Sequence, residues 1–268
     1  MISYKTFLLN EELITFGPSA YPKFGHIVVL AGGAGSGKGF IIKNLLGITG
    51  RILDVDASKT RALETSAIVN AVYKETGEDI SKFDLRKPVD VYKLHDLLAG
   101  RVKRWDNIFL DAVAAADPGR LPNIIYDVTL KDPAKLKVIT DSAKILGYPP
   151  QNIHLVWVIN DFDVAMEQNA TRSRVVPEEI MVATHLGAAK TMRDIMNDAA
   201  NLGAYFDGSI WLAFNNKHTD VKMTPKTQHG GTSLEKIIKF KVKSVGGTIK
   251  QPPQELLDKI SSYTRVQF

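Results

Sequence analysis

The sequence contains no cysteine, which excludes disulfides, thiolate-held zinc and a cysteine nucleophile and agrees with a reducing compartment. It has no run of about 18 or more apolar residues, so no membrane span is expected. The opening stretch MISYKTFLLNEELITF carries acidic residues where a secretory signal needs an unbroken apolar core. The expectation is a cytoplasmic protein without a membrane partner. Its histidines, His26, His95, His154, His185, His218 and His229, show neither His-x3-His nor His-Glu-x-x-His spacing, so they read as structural or surface residues rather than metal ligands. What remains is an ordinary globular composition, 44% hydrophobic and 24% charged over 268 residues, enough for one large domain or two small ones.

The net charge of +5 is unevenly placed. Residues 217–268 hold ten Lys/Arg against four Asp/Glu, a net of +6, which leaves residues 1–216 at −1. A nearly neutral domain with a basic extension points to an anionic partner, nucleic acid included, although solubility alone accounts for such a charge.

Five short runs are rich in β-branched or aromatic residues: His26–Gly32, Arg51–Asp56, Asn123–Thr129, Ile153–Asn160 and Ser209–Asn216. Most are continuously apolar, the pattern of strands buried on both faces of a parallel sheet. Helical patterns lie between them. Lys38–Leu46 stops at Gly47; Asp132 and Pro133 cap and open Ala134–Leu146; Pro177-Glu178-Glu179 opens a long pattern that fades at Gly203. The alternation predicts an α/β fold with about five parallel strands sandwiched by helices. The expected organisation is an N-terminal segment 1–25, a domain 26–216, a helical insertion of two or three helices at 57–122 on the substrate side, and the basic extension 217–268. Within the extension, Ile238–Lys243 alternates apolar and basic residues after an HGGTS hinge at 229–233, which reads as a strand. Trp157 and Trp211 read as core. Trp105, close to Arg101, Lys103 and Arg104, reads as a half-buried helix end rather than a base-stacking platform.

The strongest motif follows the first run: Gly32-Gly33-Ala34-Gly35-Ser36-Gly37-Lys38-Gly39-Phe40. Gly32, Gly37 and Lys38 fit the frame of a P-loop in its required strand–loop–helix context. Residues 33–40 are therefore the candidate ATP-binding stretch: small residues let backbone N–H groups curl around phosphate, and Lys38 adds a full charge. Gly39 departs from the frame, because a Ser or Thr hydroxyl normally ligates Mg²⁺ there. Mg²⁺ must then rest on phosphates, waters and a carboxylate elsewhere, or turnover is inefficient.

Two further runs end in acids. Asp54 and Asp56 close the second, and Asp127, followed by Thr129, closes the third. Strand C-termini face the ligand crevice of an open parallel sheet. Asp56 is the candidate base for an acceptor hydroxyl, with capping as its competing role; Asp54, Asp127 and Thr129 are candidate substrate contacts, and Asp127 is a candidate magnesium ligand. Arg172 and Arg174, on the connector before Pro177, can clamp phosphoryl oxygens.

The order AGGAGSGKGF, LDVDASK, IIYDVTLKD, TRSRVVPEE resembles the zeta-toxin family of P-loop kinases over about residues 26–216. That family uses ATP to phosphorylate a sugar hydroxyl of a UDP-amino sugar. The resemblance implies Lys38 as the phosphate lysine, Asp56 as the general base, Arg174 as the lid arginine with Arg172 beside it, and Asp127 where the family tends to have glutamate. The expected activity is ATP-dependent, Mg²⁺-assisted transfer of the γ-phosphoryl group to a hydroxyl of a nucleotide, nucleotide sugar or related acceptor. Two alternatives stand beside it. One is a kinase for a nucleic-acid end or modified base, favoured by the basic extension; the other is a non-catalytic nucleotide-binding switch, favoured by Gly39.

Overall fold

Each of the five apolar runs forms a strand, trimmed by a residue or two at its ends. In the computed structural model they are β1 (Ile27–Ala31), β2 (Arg51–Asp54), β3 (Ile124–Asp127), β4 (Ile153–Ile159) and β5 (Ile210–Phe214). All pair in parallel, in the order β2-β3-β1-β4-β5. The sheet is larger than expected, because β7 (Thr232–Lys243) adds antiparallel to β5 and β6 (Val221–Pro225) adds antiparallel to β7, giving seven strands. The residues described are 13–16, 22–115, 117–172, 174–197, 206–225 and 232–268. The end of the long helix near Gly203, residues 229–231 of the HGGTS hinge and most of the segment 1–25 lie outside them.

Alternate residues of each strand enter opposite cores. Ile27, Val29, Tyr126, Leu155, Trp157 and Leu212 face α5 (Pro133–Ile145), α7 (Glu178–Asn197) and α8 (Gln254–Thr264), while Val28, Leu30, Ile125, Val156 and Trp211 face α1 (Lys38–Asn44) with Ile14 and Phe16. Two-sided burial explains why the runs are continuously apolar. Burying one such aliphatic side chain contributes about 1.5–3 kcal/mol relative to leaving it exposed. Helix α5 begins as anticipated, with the Asp132 carboxylate accepting from the Ala134 N–H at 2.9 Å.

The insertion forms α2 (Val55–Glu64), α3 (Ser66–Thr76) and α4 (Pro88–Ala114). These helices bury their own cluster, which includes Ala62, Val72, Ile80, Leu94, Leu98 and Val102, with Trp105 packed at its side. Helix α6 (Phe162–Ala170) follows β4.

The basic extension belongs to the sheet. Five of its cations sit in ion pairs: Lys217–Glu167, Lys222–Glu235, Lys243–Asp207, Lys259–Asp220 and Arg265–Asp163. Lys243 is buried and bonds Asp207 Oδ1 at 2.7 Å. Lys239, also buried, donates to the Leu13 carbonyl at 3.0 Å. Lys241 lies 4.4 Å from the Trp211 ring centre, a favourable cation–π contact. Among the described residues no helix is long and apolar enough to cross a membrane.

His154 is fully buried within β4. Its Nδ1 accepts from the Ser209 N–H at 3.0 Å, so Nε2 carries the proton and donates to His26 Nδ1 at 2.9 Å. Burial, together with the neighbouring His26 and Lys243, pushes its pKa from 6.5 down to about 3. The unfolded chain therefore takes up a proton near pH 6.5 that the folded chain refuses. Stability from this group is complete above that pH and falls between about pH 6.5 and pH 3, by up to about 1.4 kcal/mol per unit. Burial lowers His26 as well and acts with the same sign. Urea denaturation should accordingly give a lower unfolding free energy at about pH 5 than at about pH 7.5; equal values at the two pH values would contradict this burial account.

Candidate active site

The glycine-rich loop joins β1 to α1, and its shape is imposed from outside. Helix α7 holds Ala34 at both ends: the Ala34 N–H donates to Thr184 Oγ1 at 3.1 Å, and His185 Nε2 donates to the Ala34 carbonyl at 2.7 Å. At the end of β5, Asn215 Nδ2 donates to the Ser36 carbonyl at 2.9 Å. The Gly32 N–H donates to the Thr129 carbonyl at 3.2 Å, which ties the loop to the segment after β3. These contacts explain two of the glycines. A Cβ at Gly33 would collide with the His185 ring, and Gly37, at φ +90°, would drive one into Asn215 Nδ2. Burial lowers the pKa of His185, and the nearby Lys38 charge adds to this, against the opposing pull of the Ala34 bond. The ring therefore favours its neutral form, with the proton on Nε2.

Lys38 folds back over the loop. Its Nζ donates to the Gly32 carbonyl at 3.0 Å and the Gly33 carbonyl at 3.3 Å, and lies 3.7 Å from Asp127 Oδ1. Asp127 is largely buried at the end of β3. Burial, with Asp54 and Asp56 adding to it, raises its pKa against the pull of Lys38. Thr129 is half-buried nearby. Ser36 is buried, and its Oγ has no hydrogen-bond partner. Phe40 packs against the cluster under α1. A Cβ at Gly39 would meet nothing within 4 Å, so packing does not demand glycine there.

The second strand stops at Asp54, two residues earlier than expected. The Asp54 carboxylate accepts from the Asp56 N–H at 2.8 Å and caps α2. Capping thus falls to Asp54, while Asp56 occupies the first turn of the helix. The half-exposed Asp56 carboxylate meets Arg174 Nη1 at 2.6 Å and Lys59 Nζ at 3.5 Å. Burial on its own would raise the Asp56 pKa, but Arg174 and Lys59 outweigh it and hold the group below the usual carboxylate range. Arg174 is held in turn by its connector: Asn169 bonds both backbone groups of Val176, at 2.8 and 3.0 Å, and the Val175 N–H donates to the Leu85 carbonyl at 3.2 Å. Arg172 is exposed, and its guanidinium has no partner among the described residues.

Sequence reasoning missed Thr184, His185, Asn215, Lys59 and His95. Thr184 and His185 lie on the apolar face of a long helix, and no local motif marks either. Lys59 alone had a legible signal, since it stands one turn after Asp56 and so shares its face. Beside the loop a cavity of about 620 Å³ runs from Gly39, Asp54 and Asp127 to Lys43, Arg51 and Arg61. Among the described residues no group of three or more His, Cys, Asp and Glu is arranged to hold a metal ion.

Asp54→Ala should lower unfolding stability by about 1 kcal/mol, the usual contribution of a cap, while Asp54→Ser, itself a good cap, should restore most of it. Urea titration checks this; equal loss in both variants would show that the carboxylate does more than cap.

No protein-family model matches the chain, and no curated protein matches it either. Solved structures do. The chain is similar to AvrRxo1-ORF1:-ORF2 with ATP, with TM-score 0.47 and 14% identity over 91% of this chain and 65% of that one. The same complex with sulphate ions gives TM-score 0.45 and 14% identity over 91% of this chain and 65% of that one. The PezAT chromosomal toxin–antitoxin system of Streptococcus pneumoniae gives TM-score 0.44 and 14% identity over 74% of this chain and 70% of that one. The chain thus spans about two thirds of the matched AvrRxo1 chain, and its structural matches, at low sequence identity, are to AvrRxo1 and the zeta toxin PezT.

Proposed function

We propose that the chain is an ATP-dependent kinase that transfers the γ-phosphoryl group to a hydroxyl of a nucleotide, nucleotide sugar or related acceptor. The observation that carries this reading is a pair of ion pairs, Lys38 of the glycine-rich loop with Asp127 and Arg174 with Asp56, whose two carboxylates are close enough to repel each other. Phosphoryl transfer needs these parts: a cation for the phosphates, a carboxylate for the metal, a base for the nucleophile and a guanidinium for the transferring group.

In the reaction the acceptor O–H bond breaks, its proton passes to the Asp56 carboxylate, and the oxygen bonds the γ-phosphorus. The bond between that phosphorus and the β–γ bridging oxygen breaks, and its electron pair leaves with ADP. Lys38 is released from the Gly32 and Gly33 carbonyls to bind phosphate. Arg174 supplies the lid charge, and the basic cavity beside Asp127 is suited to an anionic acceptor. The residues fit a magnesium ion carried largely by phosphates and waters: Asp127 would hold it, because Gly39 offers no side-chain oxygen and Asp54 is committed to its cap. When bound, Mg²⁺ would neutralise charge on the β- and γ-phosphates.

Transfer of label from γ-labelled ATP to UDP-sugars, nucleosides, nucleotides and nucleic acids tests the reading. Label should enter one acceptor pool and vanish with Lys38→Ala. Asp56→Asn should keep ATP affinity and lose transfer by roughly 10²–10⁴-fold, the contribution of a general base. Near wild-type turnover in that variant would remove Asp56 from the mechanism. Label in nucleic acid, with binding that weakens steeply as salt rises, would select the nucleic-acid acceptor; ATP binding without label in any pool would select the nucleotide switch.

A further inference from the structure

The lysine one turn beyond the candidate base occupies an unfavourable position. Lys59 is almost completely buried, with 7% of its side chain exposed. Burying an ammonium costs free energy unless good partners compensate. Burial lowers its pKa, with Arg174 acting in the same direction; Asp56 and Asp54 oppose this. Its partners are specific. Nζ lies 2.6 Å from His95 Nδ1 and 3.5 Å from Asp56 Oδ1. An ammonium only donates, so His95 accepts through an unprotonated Nδ1. Burial and the Lys59 charge both favour that neutral ring, as does Arg174, against Asp96 and Asp56. His95 sits on α4 beside the buried Leu94, so the core of the insertion sets its position.

The two carboxylate oxygens of Asp56 are thereby divided: Arg174 holds Oδ2 and Lys59 faces Oδ1. Resting on the kinase reading, we propose that Lys59, propped by His95, is the positioning residue of the base, keeping Asp56 ionised and aimed at the acceptor hydroxyl as Arg174 is drawn toward the transferring phosphoryl group. The geometry distinguishes two cations with different tasks. Arg174 sits on the connector before α7, where a bound phosphate competes for it. Lys59 sits on the same helix as Asp56 and is anchored from behind by a neutral imidazole, so it stays with the carboxylate. The other charged groups near this carboxylate are Asp54, the cap of its helix at the end of β2, and Asp127 at the end of β3, the latter paired with Lys38. Both acids disfavour a second negative charge, so a fixed cation beside Asp56 matters most when Arg174 is engaged elsewhere.

The test compares the full chain with Lys59→Met and His95→Gln. Methionine fills the buried volume without charge, and the half-exposed Asp56 carboxylate keeps water and Arg174 as partners; because removing one member of an ion pair can destabilise the fold, His95→Gln, which leaves the ammonium in place, carries the same readouts if Lys59→Met does not fold. Expected for Lys59→Met are an unchanged ATP dissociation constant, a kcat reduced by about tenfold or more, a part of what a general base contributes, and an acid limb of the kcat/KM profile moved to higher pH. His95→Gln should move both readouts in the same direction by less. A folded Lys59→Met with an unmoved acid limb and kcat within about twofold of wild type would overturn the proposal.

A second readout needs no turnover. The Asp56 carboxyl carbon, followed by ¹³C NMR titration, should titrate at higher pH in Lys59→Met than in wild type, and an unmoved titration overturns the contact itself. Absence of phosphoryl transfer by the wild type against every acceptor overturns the kinase reading and the positioning role with it, so the two failures are distinguishable.

Discussion

A loop made of glycine, alanine and one serine cannot set its own shape, because those residues bring almost no side-chain contacts and considerable backbone freedom. Its geometry depends on the bonds that Thr184 and His185 make to the two ends of Ala34, with Asn215 pinning the Ser36 carbonyl. The sheet places β1 between β3 and β4, so the loop emerges beside Asp127 on one side. The long helix α7 crosses close by, and Gly187 permits that approach: a Cβ there would stand 2.7 Å from Lys131 Cβ. The same helix follows directly on the connector bearing Arg174. Loop shape and lid position are thus set by adjoining parts of one chain segment, 169–185.

The parts of this arrangement visible in the sequence were those encoded locally. Buried strands announced themselves as continuous apolar runs, Asp132-Pro133 announced a helix start, and the glycine spacing with Lys38 announced the loop. Long-range pairing was not encoded locally. Thr184 and His185 look like ordinary members of an amphipathic helix until the fold brings them to Ala34, 150 and 151 residues away. The division of labour between Asp54 and Asp56 was also hidden, since both are plausible caps and only backbone geometry assigns the role. Of the anticipated residues, Asp127 pairs with Lys38 and Asp56 pairs with Arg174; Phe40 packs against the cluster under α1 and Arg172 is exposed.

Charge composition was the least informative quantity. Ten cations in the last segment point to an anionic partner, but charge is a sum over the sequence and says nothing about which acids the fold delivers. Asp207 lies before the extension and is delivered to Lys243; Asp220 has a fully buried side chain satisfied by Lys259 across 39 residues. In each pair a buried charge is held by a partly exposed partner from a distant position, and removing that partner would strand it.

The antiparallel attachment of β7 to β5 changes what the extension is mechanically. Strand β5 carries the fully buried Trp211 and Phe214 and leads directly into Asn215, which grips the phosphate loop. Without its neighbour, β5 would become a hydrophobic border strand with open backbone groups, the kind of edge that recruits another chain. The C-terminal ribbon is therefore a seal on the sheet as well as a carrier of charge, and the glycine-rich loop is tied to it through one asparagine.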